Sequence, residues 1–149
     1  MTHNFATPWA VMAACMALSA CALDSTHSDR AATPAQEQAL AELEQDYNAG
    51  RYADVAQTVG LSADLQSAPP AVHIPAVKLQ AFSYCLEHKT AQCKRSFDRL
   101  LQRYPGFDLE PSERDHPMWG PVFSEARADA NRASGNTLTD ARGASAPSR

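Results

Sequence analysis

The sequence is poor in the features that announce catalysis or nucleic-acid binding. It has no glycine-rich loop set out to cradle a phosphate, and no motif frames a Ser or Cys nucleophile. Positive charge is not in excess: 13 Lys and Arg stand against 17 Asp and Glu, a net charge of -4. A phosphate backbone needs a basic face, so this balance argues against a nucleic-acid partner. After residue 20 no apolar run approaches the roughly 20 residues that a membrane-crossing helix needs. Residues 1–20 contain no Asp, Glu, Lys or Arg, so the net charge belongs entirely to the remainder.

Those first residues hold instead an apolar run, Trp9 to Leu18, that leads into Leu18-Ser19-Ala20-Cys21. A run of about ten apolar residues is too short to span a bilayer and has the length of a signal-peptide core. The motif resembles a bacterial lipobox, an aliphatic residue and two small ones before a cysteine. Small side chains at Ser19 and Ala20 let a protease approach the backbone. The resemblance implies cleavage before Cys21 and a diacylglycerol on its thiol, the only non-protein group expected. The pattern departs from a signal peptide in lacking Lys or Arg ahead of the run, where His3 is the only titratable side chain. Lipoproteins of this kind with Asp after the cysteine stay at the inner membrane. Ala22 in that place implies the outer membrane, lipid-anchored and facing the periplasm.

Four segments follow: residues 1–20 as signal peptide, 21–33 as a disordered tether, 34–133 as a helical domain, and 134–149 as a disordered tail. The tether spans roughly 20 Å by random-coil scaling, which would keep the domain near its membrane. Thr33, Pro34 and Gln36 have capping-box spacing at the start of a first helix. Its apolar face would hold Leu40, Leu43 and Tyr47, and Gly50 would stop it. A second helix is expected over Tyr52 to Val59, with Tyr52, Val55, Ala56 and Val59 inward. Leu61 to Pro70 reads as a loop. A third helix is expected over Val72 to Glu87, with Pro75 in its first turn, where a missing N–H costs little. A fourth is expected over Ala91 to Tyr104, and a last one from near Pro121 to about Ala133.

Cys85 and Cys93 are centred on Lys89, the tip of the second hairpin. Residues equidistant from such a turn face each other, so an oxidising compartment would join these two as a disulfide. A metal site with His88 is the weaker reading, because one His and this spacing match no zinc pattern. Glu113, Asp115 and His116 could suggest acid–base or metal chemistry, but a capped and partly exposed turn is expected. The stretch Phe107 to Phe123 is apolar enough to need burial and too rich in proline for a regular helix. It is expected to fold back as a lid, inserting Trp119 and Phe123 among Leu79, Phe82, Phe97 and Leu101. Trp119 as an exposed interface anchor is the alternative.

The run from Tyr47 to Ala53 resembles the tetratricopeptide pattern, in which aromatics flank a glycine turn between antiparallel helices. Ala81, Phe82, Tyr84, Phe97 and Pro105 resemble a second, diverged unit, with Tyr84 lying 37 residues after Tyr47. The expected fold is therefore all-α: tetratricopeptide-like hairpins capped by the Pro/Trp-rich segment and a C-terminal helix. Taken together, the lipobox, the hairpins, the paired cysteines and Phe107, Leu109, Glu113, His116, Pro117, Trp119, Gly120, Pro121 and Phe123 are similar to the TssQ-type lipoproteins associated with type VI secretion. That resemblance implies an accessory or assembly role, with protein components of a secretion apparatus as partners. It implies no catalysis, metal or small-molecule substrate. A pilotin-like lipoprotein that escorts an outer-membrane secretin is the second reading, and a cell-wall hydrolase or metal-dependent enzyme the third.

Overall fold

The computed structural model describes residues 30–143, and within them all regular structure is helical. Cys21, the apolar run before it and most of the expected tether lie outside the described residues. The helices are α1 (Pro34–Asn48), α2 (Tyr52–Leu61), α3 (Ala63–Ser67), α4 (Pro70–Leu86), α5 (Thr90–Arg103), α6 (Pro111–Arg114) and α7 (Gly120–Gly143). None of the described helices is long and apolar enough to cross a membrane.

The start of α1 follows the sequence closely. The Gln36 N–H donates to Thr33 Oγ1 at 3.2 Å, and the Thr33 N–H donates back to Gln36 Oε1 at 3.0 Å. The same amide of Gln36 donates to the Asp64 carbonyl at 3.2 Å, so one buried side chain both caps α1 and ties it to α3. That bond falls in the stretch expected to be a loop. Leu61 to Pro70 instead carries α3, whose N-cap Ser62 accepts the Leu65 N–H at 3.2 Å and whose Leu65 is fully buried.

Two helical hairpins share one turn. At the end of α1 the Gly50 N–H donates to the Tyr47 carbonyl and the Arg51 N–H to the Asp46 carbonyl. At the end of α4 the His88 N–H donates to the Cys85 carbonyl and the Lys89 N–H to the Tyr84 carbonyl. Both are Schellman motifs, which satisfy the last carbonyls of a helix through a residue in the left-handed region. That residue is Gly50 at φ 76° in the first hairpin and His88 at φ 58° in the second. The residues that then start the next helix also match, Arg51 at φ -82°, ψ 58° and Lys89 at φ -88°, ψ 60°. The structural offset between the hairpins is therefore one residue greater than the tyrosines suggested, and Cys85 takes the place of Tyr47.

Helix α4 starts earlier than expected, because Pro70 occupies its first position and Pro69 its N-cap. Pro75 consequently stands inside the helix rather than in its first turn. It removes the bond that an amide there would give to the Ala71 carbonyl. The helix persists because nine of its residues are buried, and that burial is spread along its whole length.

Two clusters make the core. One is largely aliphatic, with Leu43, Val55, Val59, Leu65, Val72, Val77 and Leu100. The other is rich in rings and contains Phe82, Cys85, Cys93, Phe97, Leu101, Leu109, Trp119 and Phe123. The Cys85 and Cys93 sulfurs are bonded at 2.10 Å inside the second cluster. The last helix runs to Gly143, beyond the expected end at Ala133, so a helical backbone enters the stretch expected to be disordered. Its inward face is formed early, by Val122, Phe123 and Ala126.

A candidate partner-binding groove

The groove is built from two helix faces and the irregular segment. Glu44, Tyr47 and Asn48 fall three and four residues apart on α1, and so share a face. Lys78, Leu79 and Phe82 do the same on α4. These six residues, with Glu113 and Trp119, line an open cleft of about 370 Å³. The floor is aromatic and the rim polar, the usual composition of a recognition pocket.

Trp119 is held on three sides. Its ring stacks on Phe82 with centroids 4.1 Å apart and planes 16° apart. On the other side it stacks on His116, at 3.3 Å and 3°. Its indole N–H donates to the Glu113 carbonyl at 2.8 Å, which satisfies the one polar atom of a side chain only 8% exposed. Phe123 meets Phe97 edge to face at 5.1 Å and Phe107 at 6.0 Å. The segment therefore folds back onto Phe82, Phe97 and Leu101, as the sequence predicts. Leu79 is the exception: it packs against the aliphatic cluster and borders the groove beside Trp119.

The lid is fastened by polar contacts too. The four-residue α6 was not expected in this proline-rich stretch. It forms because Pro111 suits a first helical position and Glu113 accepts the Glu110 N–H at 3.1 Å in a capping box. The other oxygen of Glu113 accepts from Lys78 Nζ at 2.6 Å, joining α6 to α4. Lys78 also lies 5.8 Å from the centre of the Phe82 ring. Asp108 pairs with Arg114 at 3.6 Å, and Arg127 donates to the Pro105 carbonyl at 2.8 Å. A Cβ added at Gly120 would collide with the Arg114 carbonyl, so the tight passage from lid to α7 requires glycine.

The residues singled out in the sequence thus divide. Leu109, Trp119 and Phe123 are buried, and Phe107 is half-buried against the same cluster. Glu113 faces the groove through its ion pair, while His116 lies on the far side of the indole and accepts the Met118 N–H at Nδ1, 3.2 Å away. Pro117 is exposed. Glu113, Asp115 and His116 do not form a metal-holding group, and no other such group occurs among the described residues. Burial, reinforced by Tyr52 and the Glu113 carboxylate, pushes the Tyr47 phenol up to about 12, so it stays a neutral hydroxyl at any physiological pH.

Sequence reading missed Glu44, Asn48 and Lys78 as groove residues. Their only signal was polar side chains placed next to the apolar stripes of two helices, a pattern that most solvated faces share. The chain matches no protein-family model, no curated protein and no solved structure.

Proposed function

We propose that this protein is a lipid-anchored, periplasmic accessory or assembly protein of a type VI secretion system, acting as a protein-interaction module on the outer membrane. The observation that carries the reading is the groove. Glu113 and Trp119, two residues on which the resemblance to TssQ-type lipoproteins rests, form its wall opposite α1. The repeated Schellman turn supports a tetratricopeptide-like arrangement of α1–α2 and α4–α5, with the lid and α7 in place of the third unit such stacks usually need. In this reading the groove receives a segment of a secretion component, and the lipid on Cys21 anchors the domain. Two or three acyl chains suffice for stable anchoring, where one alone is marginal.

Two measurements test it. Cys21→Ser should move the protein from the membrane pellet to the soluble periplasmic fraction, and retention in the pellet would reveal another anchor. A photo-crosslinking residue at Asn48, on the groove rim, should give adducts with type VI components in cells that carry that system. Adducts with an outer-membrane secretin instead would favour the pilotin-like reading.

A further inference from the structure

A second concavity shares no residue with the groove. It is a cavity of about 160 Å³ between α4 and α5, with Arg99 and Arg103 on one side and His73 and Gln80 on the other. We propose that it is a binding site for a phosphate group.

The two guanidiniums lie one helical turn apart on α5, where like charges disfavour a helix. Among the described residues no carboxylate pairs with either of them. Neutral acceptors position them instead. Arg99 donates to Gln80 Oε1 at 2.9 Å and to Ser96 Oγ at 3.3 Å. Arg103 donates to the Gln66 carbonyl at 3.2 Å and approaches His73 Nε2 at 3.2 Å. Gln80 is fixed in its turn: its amide N–H donates to the Ala56 carbonyl at 2.8 Å, which leaves the amide oxygen for Arg99. A buried, oriented glutamine that aims a guanidinium without neutralising it is the arrangement an oxyanion site needs.

His73 adds a neutral ring to the same wall. It is 6% exposed and lines the same cavity. A guanidinium has no lone pair to offer, so the contact with Arg103 makes Nε2 the acceptor. The proton of the neutral ring then sits on Nδ1, which is buried and has no partner among the described residues. Burial, followed by the charges of Arg103 and Arg99, lowers the imidazole to about 4, so the ring stays neutral at pH 7. With the ring neutral and no carboxylate on either guanidinium, the cavity wall carries two positive charges that a ligand of negative charge would balance. Two positive charges match a phosphate dianion; a single carboxylate would leave one of them uncompensated.

The test is titration of isotope-labelled protein with inorganic phosphate at pH 8, where phosphate is a dianion, at ionic strength held constant with sodium chloride. The His73 ring and the Arg99 and Arg103 side-chain signals should shift and saturate, and acetate should need a markedly higher concentration. Replacing both arginines with glutamine should weaken phosphate binding by about ten-fold or more. Should that variant fail to fold, the double Arg→Lys variant keeps the charge, loses the planar fork and should still bind, but more weakly. Glycerol phosphate provides the arm that separates sources. Competition with inorganic phosphate means that a monoester, such as a headgroup, is accepted, and its absence restricts the phosphate to the free ion. The proposal is overturned if phosphate produces no saturable shift, if the glutamine variant binds as the parent does, or if acetate binds as tightly as phosphate.

Discussion

The two hairpins make the same turn from different materials. In the first, Gly50 takes the left-handed position and the flanking Tyr47 and Tyr52 rings meet edge to face at 5.4 Å. In the second, a histidine takes that position and a disulfide bridges the helices just beyond it. A non-glycine residue there costs about 1 kcal/mol, because its Cβ crowds the carbonyl that follows. The shared feature is thus the backbone path and its hydrogen bonds. The covalent bond holds the second turn where its residue type opposes it, whereas the first needs only its glycine. The second hairpin also carries the lid and the paired arginines. At the same offset from the first turn, Leu61 at the end of α2 and Leu65 in α3 stand where the second has Arg99 and Arg103.

The sharpest way to break this comparison is to remove the lid, which only the second hairpin wears. Trp119→Ala deletes a ring stacked between Phe82 and His116 and should cost about 3–5 kcal/mol, a large share of the 5–15 kcal/mol typical of a small domain. Its thermal midpoint should fall steeply. A variant that melts like the parent while losing function would make Trp119 a partner anchor instead.

Replacing Cys85 and Cys93 together with alanine comes next. The chain-entropy relation gives about 2.5 kcal/mol for so short a loop. Denaturant midpoints of the oxidised parent and the variant give the difference, and equal midpoints would show the bridge to be thermodynamically idle.

The third prediction concerns pH. The His73 imidazole titrates at about 6.5 when unfolded and about 4 when folded, chiefly through burial and then through the facing charges of Arg103 and Arg99. Between those values the unfolded chain binds the extra proton. Stability should therefore be full above about 6.5 and decline as the pH falls towards 4, by no more than about 1.4 kcal/mol per pH unit. Urea midpoints across this range should flatten in His73→Gln relative to the parent. Parallel profiles for the two proteins would refute the assignment.

The smallest effects should have opposite signs at matching positions. Gly50→Ala should destabilise by about 1 kcal/mol and His88→Gly stabilise by up to about 1 kcal/mol, since each swaps the penalty of a Cβ at positive φ. If the two changes moved the melting point in the same direction, the turns would not be equivalent.

What could be read in the sequence follows from how local each signal is. The α1 cap, the apolar stripes of α1 and α2 and the cysteine pairing depend on residues within a few turns of one another, and they appear where periodicity and spacing place them. The lid was also legible, because four large apolar side chains among prolines must be buried somewhere. Pro69 and Pro70 misled, since two adjacent prolines read as a break while the second opens a helix. Pro75 misled in the same direction: its propensity argues for a first turn, and the tertiary burial of α4 overrides it. The continuation of α7 past Ala133 ran against a composition with little to bury. Least legible were the groove rim and the arginine cavity. Each joins polar residues from separate helices, and nothing in the local sequence distinguishes Arg99 and Arg103 from cations on an ordinary solvated face.

Gln36 has a mechanical consequence. Among the described residues, the bonds at the N-terminal end of α1 that resist a pull from that side include the mutual pair between Thr33 and Gln36 and the one from the Gln36 side chain to the Asp64 carbonyl. A load applied through the preceding residues would peel α1 from its N-terminal end, one turn at a time, and expose the face of α4 that α1 covers. The cysteine bridge lies at the other extreme of that sequence. The residues between Cys85 and Cys93 are shorted out by the sulfur–sulfur bond and add nothing to the extension, so a fully stretched chain would still carry a closed ring at its middle.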